Sequence, residues 1–232
     1  DEDAAPVLTA AARIAIDAEG RTSLGVGSQD TGQGHAAAYA AIVREKTGLE
    51  VAAMEQGDSD AAPSGGGTFG GKTMAVMGSA VANASDALVA EARRAAAERF
   101  GVAPEAVTFE RGDLAVPGTN HRIDLPGLAR SVGGLAAEAE GGGRTTYPNG
   151  CHACEVEIDA ETGHVTVLAY VAADDYGRIL DRDGLAGQLL GGIAQGLGQA
   201  VHERIAFDPA DAQLLTGSLM DYGLPRGDDM SE

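Results

Sequence analysis

The sequence contains no tryptophan, and only four phenylalanines and five tyrosines in 232 residues. A core without large rings must be filled by aliphatic side chains and alanine. Basic residues are scarce too: 16 Lys and Arg stand against 35 Asp and Glu, a formal charge of −19. Such a field repels nucleic acid and anionic lipid surfaces, so neither is an expected partner. No apolar run approaches the ~20 residues that cross a bilayer. No secretory signal is present, and the chain reads as cytoplasmic. Cysteine is limited to Cys151 and Cys154. A zinc site needs four ligands, and there is no second pair. The apolar alternation through Val156 and Ile158 predicts a strand, on which residues three apart face opposite sides. The two cysteines therefore read as structural thiols. The chain starts at Asp1 and ends soon after Leu224-Pro225-Arg226. It reads as a piece of a longer polypeptide.

Glycine is abundant, with 34 residues that cluster. Two clusters matter: Ser28-Gln29-Asp30-Thr31-Gly32-Gln33-Gly34-His35 and Gly65-Gly66-Gly67-Thr68-Phe69-Gly70-Gly71-Lys72-Thr73. Each is placed to open a helix. Glycine lets main-chain amides turn toward a ligand. A helix start adds unpaired N–H donors and a positive dipole end. Two such loops suggest a grip on a large phosphorylated ligand from two sides.

The rest of the chain reads as α+β, in two similar halves of hairpin plus helix. The first half covers residues 1–132. A hairpin joins 12–17 to 23–27, a helix runs over 35–47 and stops at Gly48, and a strand covers 50–56. An alanine-rich helix spans 74–100, with Gly101 as its cap. Short strands at 107–111 and 114–116 and a short helix at 125–131 follow. Residues 133–146, rich in glycine and acids, read as a linker. The second half, 147–232, repeats the plan: a hairpin joins 155–159 to 165–172, and a helix covers 184–202. A small hairpin pairs 204–207 with 213–215.

Gly66 to Thr73 also fits the pattern G-x-x-x-x-G-K-[ST] of a phosphate-binding loop. On that reading Lys72 reaches outer phosphates, Thr73 holds magnesium, and Asp174 or Asp175 supplies the metal-holding acid. The context opposes it. A loop separates Gly66 from the preceding strand, and Asp174 leaves a hairpin rather than a parallel strand.

Taken in order, several motifs resemble the large, molybdenum-binding subunit of the xanthine dehydrogenase and aldehyde oxidase family, of the carbon monoxide dehydrogenase type. They are Gln29 to His35, Gly57-Asp58, Gly66 to Gly70, Tyr147 to His152, Asp174 to Arg178, Gly191 to Gly196 and Thr216 to Tyr222. The resemblance implies a molybdopterin cofactor with molybdenum, as the cytosine dinucleotide, and oxidation of an aldehyde-type small molecule or of CO. It implies an iron–sulfur subunit and a flavin subunit as partners, in a dimer of heterotrimers. It places the first cofactor loop on Gly32, Gln33, Gly34 and His35, and the second on Thr68, Phe69, Gly70, Gly71, Lys72 and Thr73. Family members often carry Ser-Arg-Ser where Gly71-Lys72-Thr73 stands; lysine keeps the charge but loses the two-pronged fork. Gln33 reads either as a cofactor contact or as a helix cap. Gln188 and Gln195 read either as cofactor-side groups or as packing. No catalytic or metal-binding residue is assigned. The family's Gly-Val-Gly-Glu type segment, with its glutamate base, is absent. So is the upstream loop that carries an active-site cysteine, which Cys151 does not match. The chain by itself is therefore expected to be inactive.

Overall fold

The computed structural model describes residues 7–144 and 146–230. The chain divides into two compact units, Asp1–Tyr147 and Pro148–Glu232.

In the first unit, β1 (Leu8–Ile16) and β2 (Thr22–Val26) form an antiparallel hairpin with Ile16 opposite Thr22. α1 (His35–Thr47) follows; Gly34 and Gly48 bracket it in left-handed conformation, and Gly48 N–H donates to Arg44 O. Its buried residues His35, Tyr39, Val43 and Thr47 fall four apart, on one helical stripe. β3 (Ala53–Glu55) adds to β2 in parallel. After a long loop, a π-helical turn (Met74–Gly78) leads into α2 (Ser79–Phe100). A small sheet then forms from β4 (Thr108–Glu110), β5 (Asp113–Ala115) and β6 (Arg122–Asp124). The Asp124 carboxylate accepts from Gly127 N–H and caps α3 (Leu125–Val132).

The expected linker is corrected here. Residues 135–143 form β7 (Leu135–Gly143), which pairs antiparallel with β1 along its full length and completes a sheet of order β3-β2-β1-β7. Its glycines serve close packing rather than flexibility. A Cβ on Gly141 would strike the backbone of Ser79 and Ala80, and one on Gly143 would strike Ala75 O. The alanine face of α2 can thus lie almost against the strand. The core between sheet and helices contains Ile14, Ile16, Leu24, Val26, Tyr39, Val43, Val81 and Leu88, each 0 or 1% exposed.

In the second unit, β8 (Asn149–Ile158) and β9 (Val165–Asp175) form a longer hairpin with an irregularity at Glu155/Val156. α4 (Arg182–Leu197) follows, capped by the Asp181 carboxylate on Gly184 N–H, and ends in a π-helical turn (Gly198–His202). The expected hairpin beyond it reduces to one bridge, Phe207 to Leu214. Among the described residues of this unit no apolar side chain is buried. Cys151 and Cys154 are both exposed and carry no disulfide. Among the described residues no helix is long and apolar enough to cross a membrane.

Candidate functional site

β2 ends at Val26 and delivers the chain to the first glycine loop. The second loop arrives beside it. Gly27 and Gly65 touch backbone to backbone, so that a Cβ on either would collide with main-chain atoms on the other side. Ala11 N–H donates to Ser64 O at 2.8 Å, and Thr68 Oγ1 donates to Gln29 O at 2.9 Å. The two loops, 28 to 35 and 65 to 73, therefore lie side by side on one edge of the first unit. A pocket of about 400 Å³ opens there, lined by Ser28, Gln29, Asp58, Pro63, Gly65 and Gly67.

The first loop is organised by Asp30, which the sequence reading passed over. Its carboxylate accepts from the amides of Gly32, Gln33 and His35, each at 2.8 Å. Its own N–H donates to Gln56 Oε1 at 3.2 Å. Partial burial pushes the Asp30 carboxyl up, but the three amides and the nearby His35 outweigh it and leave the pKa lowered. The available signal was an aspartate two residues before a glycine, the spacing at which a carboxylate turns back on main-chain N–H groups. Gln33 folds back on Thr31: Oε1 accepts from Thr31 N–H at 2.6 Å and Nε2 donates to Thr31 Oγ1 at 2.9 Å. It does not cap α1, whose first amide, His35 N–H, is taken by Asp30 instead. Gly32 and Gly34, with φ of 113° and 75°, face open space.

His35 is 6% exposed, and its Nδ1 is buried without a partner. Burial lowers its pKa, with the Asp30 charge opposing. Its ring lies 5.7 Å from that of Tyr39. Tyr39 Oη and Ser28 Oγ are 2.8 Å apart, and burial pushes the phenol up to about 12.

The second loop is open. Gly67, Gly70 and Gly71 have φ between 65° and 75°, and a Cβ on any of them would meet nothing. Thr73 precedes the π-helical turn. Lys72 is only 8% exposed, with Nζ 3.6 Å over the Phe69 ring centroid. Among the described residues no carboxylate pairs with it. The Lys72 stem is thus buried while its ammonium rests on the Phe69 ring without a carboxylate to balance it.

The nucleotide-hydrolase reading finds no support in this geometry. Residues 56–65 intervene between β3 and Gly66, whereas a phosphate-binding loop follows its strand at once. Asp174 sits on β9, antiparallel to β8. Its carboxylate is engaged by His152 Nε2 at 3.0 Å and by Tyr176 Oη at 2.9 Å. Gln188 lines a pocket of about 640 Å³ with His152, Cys154 and Tyr170. Gln195 lines another, with Glu203 and Tyr222. These two glutamines do not converge. Among the described residues no three His, Cys, Asp or Glu side chains are grouped to hold a metal ion.

The sequence model of the molybdopterin cofactor-binding domain matches residues 2–231. The chain is 32% identical over 225 residues to the carbon monoxide dehydrogenase large chain of Hydrogenophaga pseudoflava, covering 91% of this chain and 28% of that protein. It is 30% identical to the gamma subunit of the 6-hydroxypseudooxynicotine dehydrogenase complex of Paenarthrobacter nicotinovorans, over 94% of this chain and 29% of that one. The structure superposes on CO dehydrogenase from Oligotropha carboxidovorans with a TM-score of 0.83 at 27% identity, covering 96% of this chain and 29% of that one. The chain thus spans about three tenths of the length of these relatives. On the matched sequence and the shared fold, it belongs to the molybdopterin cofactor-binding domain family.

Proposed function

We propose that this chain forms part of the cofactor cradle in the large subunit of a molybdenum hydroxylase-type oxidoreductase, acting on an aldehyde-type small molecule or on CO. The observation that carries the reading is the pairing of the two glycine loops, the second of which brings Lys72, a cation without a carboxylate partner among the described residues. Two features fit an anionic pterin dinucleotide: among the described residues Lys72 has no counter-ion and His35 Nδ1 no hydrogen-bond partner. The glycine surfaces at 67, 70 and 71 leave the room that a ligand backbone needs. The residues proposed to hold the cofactor are Gly32, Gln33, Gly34 and His35 from the first loop, with Thr68, Phe69, Gly70, Gly71, Lys72 and Thr73 from the second. The proposed cofactor is molybdopterin cytosine dinucleotide. When bound, it supplies a redox-active molybdenum that takes electrons from the substrate.

The chain's own residues bind and orient. Lys72 neutralises anionic charge from a position fixed against the Phe69 ring. Burial lowers the His35 pKa, and its Nδ1 is a buried ring nitrogen without a hydrogen-bond partner. Thr68 ties the loops together through Gln29 O. None of these groups is assigned an acid–base role. The proposed partners are an iron–sulfur and a flavin subunit in a cytoplasmic dimer of heterotrimers.

Elemental analysis for molybdenum and fluorescence of the oxidised pterin, both on the full-length protein, test the proposal. Equimolar metal and pterin are expected. Lys72→Met should lower pterin retention by about tenfold, the loss of one charge-assisted contact. Full-length protein that carries neither metal nor pterin after expression with an adequate molybdenum supply would overturn the reading.

A further inference from the structure

The two loops look alike in sequence but differ in what their donors do. In the first, an ionised side chain of the protein already occupies the amides of Gly32, Gln33 and His35. An anion arriving at the start of α1 would find those donors already taken by a carboxylate. In the second, among the described residues, the amides of residues 66–71 have no hydrogen-bond acceptor and the 8% exposed Lys72 has no carboxylate partner.

We infer that Asp30 is a positioning residue that closes the first loop to phosphate, so that the anionic end of the cofactor lies on the second loop at Lys72. The inference rests on the cofactor reading given above and adds a direction to it. The first loop then meets the less charged part of the ligand through Gln33, Gly34 and His35. Asp30 does this by acting on the main chain of the loop. It fixes the main chain through three hydrogen bonds to charged oxygen, which are stronger than neutral ones. It also removes the helix start from the set of sites that attract anions. Gln56, which accepts from Asp30 N–H, ties this arrangement to the end of β3.

Hydrogen exchange by mass spectrometry on the full-length large subunit tests this, with inorganic phosphate as the probe. In cofactor-free wild-type protein, the amides of residues 32–35 should already exchange about tenfold more slowly than in Asp30→Ala. Millimolar phosphate should slow exchange at residues 66–73 in the wild type and not in Lys72→Met. It should slow residues 32–35 only in Asp30→Ala, where it replaces the missing carboxylate. A purely structural role for Asp30 would give no phosphate-dependent rescue. Wild-type protein whose first loop exchanges freely until phosphate or cofactor is added would overturn the inference. So would phosphate protection of the first loop in the wild type. Should Asp30→Ala not fold, the wild-type and Lys72→Met measurements decide alone. Absence of pterin from the protein would remove the cofactor reading only, since the phosphate measurements still decide between the loops.

Discussion

Residues 7–144 enclose Ile14, Leu24, Tyr39 and Leu88 at 0% exposure, whereas residues 148–230 leave Ile158, Leu190, Ile205 and Leu219 between 58 and 77% exposed. Both regions begin with a hairpin followed by a helix. The first adds a third component: β7 returns to β1, and the alanine face of α2 lies against it. Among the described residues the second has no such return. Its helix α4 presents Gly187, Gly191 and Gly192, around which a Cβ would meet nothing. Apolar burial is worth about 25 cal/mol per Å². The first region therefore carries its own stabilisation, and the second contributes little from its own interior. Equal secondary structure does not give equal cores.

The sharpest way to break this contrast is a matched pair of leucines. Leu88→Ala should cost about 3–4 kcal/mol in urea denaturation, as expected for a fully buried leucine on a packed helix. Leu190→Ala should stay within about 0.5 kcal/mol. A comparable loss from both would show that the second region holds a core after all. A matched pair of glycines gives opposite signs. Gly141→Ala pushes β7 off α2 and should destabilise by about 2–3 kcal/mol. Gly191→Ala removes a flexible residue from the middle of α4 and should stabilise by about 0.5–1 kcal/mol. Loss of stability with Gly191→Ala in the full-length protein alone would mark that helix face as covered by other parts of the polypeptide.

The smallest expected effect is on pH. Burial favours neutral His35 and lowers its pKa from 6.5. The unfolded chain then binds more protons below that value, so this contribution is present above pH 6.5 and is lost as pH falls toward the folded pKa. Thermal midpoints followed from about pH 8 to about pH 5 should decline in wild type and flatten in His35→Asn. An unchanged slope would show that His35 is hydrated in solution.

The elements legible in the sequence were those with their own local punctuation. α1 lay between Gly34 and Gly48, and α2 ended at Gly101, because a left-handed residue past a helix favours glycine. β7 was missed for a reason that its packing explains. Leu135, Ala137, Ala139, Gly141 and Gly143 alternate with Ala136, Glu138, Glu140 and Gly142, a period of two. The inward face is so small, to admit α2, that it resembled a flexible tether. β6 was too short to carry a pattern. At the site, the glycines and Lys72 were visible as a motif. Their adjacency depends on Gly27 meeting Gly65, a contact across 38 positions that no local pattern encodes. Asp30 was hidden because its partners are main-chain amides, which have no letter in the sequence.

The antiparallel ladder that sets Leu8 opposite Gly143 has a consequence for biosynthesis. The sheet that presents both loops cannot close until translation has passed residue 143, since one of its inner strands lacks its neighbour until then. A ribosome releasing shorter nascent chains would expose an incomplete edge with nothing firm for a ligand to enter. Completion of the edge that carries the paired loops is therefore a late event, open only to chains whose synthesis has brought the distant strand home.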